Sequence, residues 1–519
     1  MIGWLWAAYF TIKLWLDFKG VIAISFWPNL ALLVLAMPYA PVSDQGKIKK
    51  SIVVRQCLAV PLGIALLWYD SYLPPFIYSM KFLLANKNLI FNGFSGQFLT
   101  KWFATQETNF LAFAILILVF IFMAKKKIHP TPIVFLTLML VFVESLRLGN
   151  NGISIDLEHF YAQQAQKQIP FPVKTDQKPP FDIIFIHICS LAWDDLNVIH
   201  DTNPLFLDNA NILFTDFNSA TSYSTPAALR LSRAPCGQVS HNALYHTWPS
   251  QCDLWTQLRR AGYRTYAQLD TDPAYYGMAA ELKKFADLNW PGKINGLPIQ
   301  MLSFDNQPVY ANKPVLDRWL AKRQKNAEAR AALFYNTITL HTGGHKDIPD
   351  WWKESLVDEY IQAFSSLKQD LISFEGDLAG DGRNSVVVIV SEHGAALRGS
   401  VIQAAQLRDI PLPRITEVPV AIRFIGPLFK NAPKKIIVSA PSSYLALAKL
   451  LSDIISNPQM VSQPGALATE VQTLPTTEYL SETQNWKVFK DKGRYYLLNK
   501  DGKWRPLDHA DVPAKGEIP

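Results

Sequence analysis

Five apolar runs crowd the first 150 residues, at about 3–17, 20–40, 52–69, 109–124 and 131–148. Most approach the roughly 20 residues that a helix needs to cross a hydrocarbon layer. A segment in lipid must bond every backbone polar group within itself, which leaves the helix as the form open to runs of this kind. Residues 1–149 therefore read as an anchor of five transmembrane helices. The first run is short enough to suggest a signal peptide, but the spans behind it argue against a cleaved, soluble product.

Basic residues fix the expected orientation. Lys47, Lys49, Lys50 and Arg55 flank one pair of runs and Lys125–Lys127 another. The positive-inside rule puts both clusters in the cytoplasm, so the N-terminus lies inside and everything after residue 149 outside. The loop from Tyr69 to about Lys101 then also lies outside. Its Pro74-Pro75, aromatics and lysines suit a segment resting on the membrane surface. Cys57 falls in the third span, where a small buried thiol needs no functional account. The formal net charge of +7 raises the question of nucleic acid. A nucleic-acid binder would display Lys and Arg along a soluble face, whereas the clearest clusters here sit between apolar runs, so no nucleic-acid partner is expected.

Residues 150–180 lose the long apolar runs and carry Gln163–Gln168 and four prolines, Pro170, Pro172, Pro179 and Pro180, a juxtamembrane linker by composition. From 181 to 519 short apolar segments alternate with helical ones. Strand candidates are Phe181–Cys189, Leu333–Leu340, Ser385–Val390 and Val418–Ile425, and helix candidates span 252–261, 314–330 and 354–376. Continuous apolar strands separated by helices predict a doubly wound α/β domain on a parallel sheet.

In such sheets ligands bind at the carboxyl ends of the strands. The first candidate strand ends in Cys189, the second leads to His341, and the third runs into Glu392-His393. Cys, His and carboxylate are zinc ligands, and Cys189, Glu392 and His393 make three of a tetrahedral four. The stretch Ser222–Arg230 is a hydroxyl-rich turn opening a helix, with Thr225 as the expected cap and Pro226 at the first helical position. Ser224 then sits just outside the helix, beside unpaired N–H groups that suit a phosphate. Taken alone these residues only cap a helix. Beside a metal, the Ser224 oxygen completes the ligand set and becomes a nucleophile.

At these residues the chain resembles the membrane-anchored phosphoethanolamine transferases of the alkaline phosphatase and sulfatase superfamily, and most closely the branch belonging to the bacterial cellulose secretion system. The segments that carry the resemblance are Ile186–Leu191, Phe217–Ser224, Phe334–Thr337 with His341, Glu392–Gly394 and Leu407–Pro411. The resemblance implies zinc ligation by Cys189, Ser224, Glu392 and His393, with Ser224 as the nucleophile and Tyr223, His341 and Arg408 completing the active site. It also implies an alkaline-phosphatase-like fold, a multi-pass protein of the bacterial inner membrane with its catalytic domain in the periplasm, and transfer of phosphoethanolamine from phosphatidylethanolamine to cellulose through a phosphoserine-type intermediate. Subunits of the cellulose synthase are the implied partners. Ser as nucleophile, Cys at the first strand end and a Glu-His pair depart from the wider superfamily, which commonly has Thr, an acidic residue and Asp-His. With no Asp-His pair, a second metal is not expected.

Transfer to lipid A or another envelope glycan is the alternative among enzymes, and a catalytically idle assembly subunit of the cellulose synthase is the alternative outside them. In an oxidising periplasm Cys236 and Cys252 either form a disulfide or are two unrelated buried thiols. His187, His241, His246 and His345 are read as core or solvated groups. Trp486–Leu507 alternates aromatic and charged residues around Lys500–Lys503, the pattern of a surface hairpin.

Overall fold

The computed structural model describes residues 2–18, 22–36, 50–71, 139 and 155–173, and from 180 to 512 all but 202–206, 208, 286–287, 289, 291–293, 295, 304–305, 327–329, 342, 345–355, 401, 404, 499–501, 503 and 509–510. The chain forms two compact units. The first is Met1–Ser154 with Ser400–Ala404 and Leu498–Arg505, and the second comprises Ile155–Gly399, Ala405–Leu497 and Pro506–Pro519.

In the first unit, helices Ile2–Phe18, Phe26–Ala36 and Lys50–Asp70 pack through Trp6, Ala7, Phe10, Leu32, Ala36 and Ala59. Among the described residues one helix is long and apolar enough to cross a membrane, over Val53–Asp70. The expected spans 109–124 and 131–148 and most of the expected surface loop lie outside the described residues. Val54, Leu58, Leu62 and Ile64 face outward from the third helix, as suits a lipid-facing surface. A buried polar cluster joins the three helices. Lys13 Nζ bonds Asn29 Oδ1 at 2.7 Å and Asp70 Oδ2 at 2.5 Å, and Asn29 Nδ2 reaches the same Asp70 oxygen at 2.7 Å. One residue from each helix thus enters a single paired charge, the arrangement by which an apolar bundle tolerates ions.

The second unit is a layered α/β fold. Its sheet holds β1 (Asp182–Cys189), β2 (Ile212–Asn218), β3 (Arg264–Leu269), β6 (Ala331–Thr337), β7 (Ser385–His393), β8 (Glu417–Ile425) and β9 (Ile436–Val438), ordered β3-β6-β1-β7-β8-β2-β9. Strands β4 (Ile299–Leu302) and β5 (Pro308–Tyr310) form a separate antiparallel pair. Every residue of β1, β6 and β7 is buried, because both faces are covered. Ile183 and Phe185 point into one core with helices Ser224–Ser232, Leu254–Arg260 and Tyr444–Ser456. Ile184, Ile186 and Ile188 point into the other with helices Asn312–Lys325 and Leu356–Gly380.

The expectation of a parallel sheet holds for β3, β6, β1 and β7 and fails at β8, which is antiparallel to both β7 and β2. The sheet is mixed. β8 follows β7 in the sheet as its antiparallel neighbour, so the chain re-enters from the carboxyl rim without the crossover that a parallel neighbour requires. Since β2 runs against β8, it ends at the same rim as β1, β6 and β7.

The stretch expected as a linker carries a helix, Leu157–Ala165, capped by Asp156. Phe160 on it packs edge-on against Phe489. Beyond the helix, Ile169 N–H donates to Pro235 O and Gly237 N–H to Lys167 O. Gly237 must be glycine here, because a Cβ would meet the Gln164 carbonyl oxygen at 2.1 Å. Cys236 and Cys252 form a disulfide across 16 residues. A small antiparallel sheet follows at Leu480–Glu482, Lys487–Asp491 and Arg494–Leu498, with Trp504–Pro506 next in order. Lys492-Gly493, both with positive φ, turn between Lys487–Asp491 and Arg494–Leu498, and the expected turn signal Lys500–Lys503 falls between the neighbouring strands Arg494–Leu498 and Trp504–Pro506.

A loop of this size is worth about 3 kcal/mol to a crosslink in the chain-entropy view. Cys252→Ser should lower unfolding stability by about that amount in denaturant titration, and reductant should shift the native protein to the same midpoint.

Candidate active site

Four parallel strands deliver the site. Cys189 closes β1, Glu392 and His393 close β7, β6 leads to His341, and β2 leads to Ser224. The ends of β1 and β7 are tied where Leu191 N–H donates to His393 O at 2.7 Å. A buried carboxylate braces both exits, since Asp195 accepts from Ala192 N–H, Ala395 N–H and Leu397 N–H at 3.0, 2.7 and 3.3 Å. Gly394 allows this approach, as a Cβ would stand 2.8 Å from the Asp195 oxygen.

The helix that carries Ser224 starts two residues earlier than its sequence suggests. Tyr223 is the cap, Ser224 is the first helical residue, and Ala227 N–H closes the turn on Tyr223 O. Pro226 is accommodated because the first-turn N–H groups have no helical partner in any case.

Cys189, Glu392 and His393 lie with ligand atoms within 4.8 Å of one another, all buried. Cys189 Sγ is 3.3 Å from Ser224 Oγ and 3.8 Å from His393 Nε2. Ser224 Oγ is 3.3 Å from His393 Nε2, which is 3.6 Å from Glu392 Oε2. The edges of a tetrahedron around a metal bound at zinc distances are about 3.3–3.8 Å. The four distances above match such edges, and the Glu392 and Cys189 ligand atoms lie within 4.8 Å of each other. Glu392 Oε2 is buried without a hydrogen-bond partner, a costly state that a cation would relieve.

Protonation fits the same reading. His393 Nδ1 is 2.9 Å from Gly394 O, so the Nδ1–H form donates to it and the Nε2 lone pair faces Cys189 and Ser224. Burial, with Arg408 nearby, pulls His393 down to about 3. Burial opposes ionisation of Glu392, but His187 and His393 outweigh it and hold the carboxyl at about 2. Burial and the Glu392 charge push the Cys189 thiol up to about 12; a bound cation would reverse that balance.

Arg408 comes from the loop between β7 and β8. Its guanidinium donates to Ser190 Oγ at 2.8 Å and to His341 Nε2 at 3.1 Å. All seven residues singled out in the sequence therefore meet at this rim, with Tyr223 set slightly apart, half-exposed and donating its hydroxyl to Asp409 at 3.2 Å. Ser222 Oγ also bonds Arg408 O, so the turn before the nucleophile and the arginine loop are joined side by side.

Four further residues shape the site without having been assigned a part: Ser190, Asp409, Asn336 and Trp486. Asn336 donates to Glu392. Trp486, fully buried in the small sheet, donates from Nε1 to Asp409 Oδ2 at 2.7 Å, and Thr483 Oγ1 donates to Asp409 O at 3.0 Å. The C-terminal hairpin is thus a buttress for the arginine loop. A tryptophan in an alternating aromatic and charged stretch gives no hint of a partner 77 residues away.

Residues 145–504 match the family described as "Cellulose biosynthesis protein BcsG C-terminal domain", and residues 6–143 match "Cellulose biosynthesis protein BcsG N-terminal domain". The chain belongs to the BcsG family. It is 30% identical to the cellulose biosynthesis protein BcsG of Salmonella typhimurium and 29% identical to that of Escherichia coli, in each case over 96% of this chain and 95% of the relative. A crystal structure of the C-terminal periplasmic domain of EcEptC from Escherichia coli, in complex with Zn, aligns with 68% of this chain and 98% of its own at 13% identity and a TM-score of 0.41.

In this member of the BcsG family Trp486→Phe keeps the ring but leaves the buried Asp409 oxygen without its donor. Stability should fall by about 1–3 kcal/mol in denaturant titration, with the far-ultraviolet spectrum unchanged.

Proposed function

We propose that this chain is a zinc-dependent phosphoethanolamine transferase that modifies cellulose, taking the group from phosphatidylethanolamine. The observation that carries the reading is the spacing of Cys189 Sγ, Ser224 Oγ, His393 Nε2 and Glu392 Oε2 at tetrahedral edges, with a serine oxygen as one corner. Membership of a family named for cellulose biosynthesis supports the acceptor, and the motif resemblance around Ser224 and Glu392-His393 supports the transferred group. A five-span anchor in the bacterial inner membrane, with the α/β unit on the periplasmic side, would place the site where the lipid donor and the emerging polymer are both present.

Zinc held by Cys189, Glu392, His393 and Ser224 supplies acidity to the serine hydroxyl and neutralises charge on the transferring group. The chain's own residues do the rest. Ser224 Oγ bonds to phosphorus as the bond from phosphorus to the glycerol oxygen breaks, releasing diacylglycerol and leaving phosphoethanolamine on Ser224. A glucosyl C6 hydroxyl of cellulose then attacks that phosphorus and Ser224 departs. Arg408 holds phosphate oxygens with the guanidinium donors that Ser190 and His341 leave over. His341 passes the Ser224 hydroxyl proton to the departing glycerol oxygen in the first step and the sugar hydroxyl proton back to the Ser224 oxygen in the second. Tyr223, beside Ser224 and pinned by Asp409, borders the approach. Subunits of the cellulose synthase are the partners this role calls for.

Incubating the full-length protein in detergent with phosphatidylethanolamine and zinc should add the mass of one phosphoethanolamine group to the native chain and none to Ser224→Ala. Equal labelling of both would overturn Ser224 as the nucleophile. Absence of any label on a zinc-loaded native chain would overturn the transferase reading.

A further inference from the structure

Glu392 is held from behind by two groups that the chemistry above does not use. His187 lies on β1 and Asn336 on β6, directly opposite each other in the parallel register. Both are completely buried. Asn336 Nδ2 donates to Glu392 Oε1 and lies 3.3 Å from His187 O, and His187 Nδ1 is 3.1 Å from the same Oε1. The other carboxylate oxygen, Oε2, has no partner and is the one that faces His393 Nε2.

We propose that His187 and Asn336 are positioning residues that occupy Oε1 so that Glu392 offers Oε2 alone to the metal. The inference rests on the zinc reading above. The terminal torsion of a glutamate is broad and two-fold. Left free, this carboxylate could swing to chelate with both oxygens, or turn toward the thiol and hydroxyl beside it. Two donors arriving at one oxygen from adjacent strands fix its plane. They also meet a charge that no water reaches.

The strand pattern supports a polar duty for His187. Ile183 and Phe185 precede it on the same face of β1 and enter an apolar core, and the imidazole itself lies 5.4 Å from the Phe334 ring. An apolar residue would pack there at no desolvation cost, so an imidazole at this position must recover that cost through its bond to the carboxylate. Asn336 Nδ2 also lies 3.0 Å from His187 Nδ1; in the Nδ1–H form of His187 the two Asn336 hydrogens go to Glu392 Oε1 and His187 O, and Nδ1–H points to the carboxylate.

The test is zinc affinity of the metal-stripped, full-length protein, read by competition with a chromophoric chelator, beside metal-free thermal unfolding. His187→Leu and Asn336→Leu should each weaken zinc binding about 10–100-fold. His187→Asn, whose amide nitrogen takes the place of Nδ1, should stay within a few-fold of native. Folded leucine variants that bind zinc as tightly as native would overturn the proposal, as would His187→Asn proving as weak as His187→Leu. Should the leucine variants fail to fold, His187→Asn against His187→Gln decides, because glutamine puts its amide where Nε2 lies and misses Oε1. Equal affinities there would also overturn it. A native chain that takes up no zinc would instead overturn the zinc reading itself.

Discussion

A carboxylate with no access to water, kept ionised at a strand end, is the constraint from which much of the second unit follows. Glu392 sits at the end of a strand buried along its whole length. Burial alone would protonate it, and only the groups gathered around it reverse that sign. Those groups come from different strands, so the sheet must bring β1, β6 and β7 side by side and end them at one rim. The order β6-β1-β7 does this, with Asn336, His187 and Glu392 on three adjacent strands. The same adjacency sets Cys189 beside His393, because β1 and β7 end together.

The rim is completed by the one strand that breaks the parallel pattern. A crossover after β7 would carry the chain away from the site. By turning back as β8, the chain keeps Arg408 at the strand ends, where it meets Ser190 and His341. Loops are the less ordered parts of a fold, and an arginine meant to meet phosphate oxygens gains from being held. Four side chains hold this one: Ser222 on the carbonyl of Arg408, Thr483 on the carbonyl of Asp409, Tyr223 on one side-chain oxygen of Asp409 and Trp486 on the other. The serine turn and the arginine loop therefore move as a pair or not at all, and the small C-terminal sheet is what the pair leans on.

How much of this was legible in the sequence depends on how local the cause is. Apolar runs of strand length announced β1, β6, β7 and β8, and their last residues named the rim, because burial on both faces leaves no alternation to confuse the reading. Three helices in the second unit came out close to their observed bounds for the same reason of period. The direction of β8 did not, since antiparallel return and parallel crossover use the same apolar residues and differ only in what links them. His187 read as an unassigned core histidine. It is in the core, but its duty depends on a register with β6 and β7 that no single segment contains. The expected start of the serine helix falls two residues late because Thr-Pro is a strong local signal, while the cap at Tyr223 is held by a contact to Asp409, 186 residues on.

The segment that follows the anchor shows why the disulfide stands where it does. Residues 155–173 carry a helix and then run alongside the loop after the nucleophile helix, bonding Pro235 and Gly237 and bridging Gln168 to Cys236. That loop, Arg233–Gly237, contains a proline and a glycine, and it bonds the incoming segment through Pro235 O and Gly237 N–H while Arg233, Ala234 and Cys236 bond back toward the helix. Cys236 is the residue at the centre of this contact, and its partner Cys252 stands just ahead of the helix Leu254–Arg260, which packs into the main core through Leu254, Trp255 and Leu258. The crosslink thus fastens that loop to a core-packed helix. Through Leu229 and Leu231 the nucleophile helix enters the same core, so the path from the incoming segment to Ser224 passes through elements that share one packed interior.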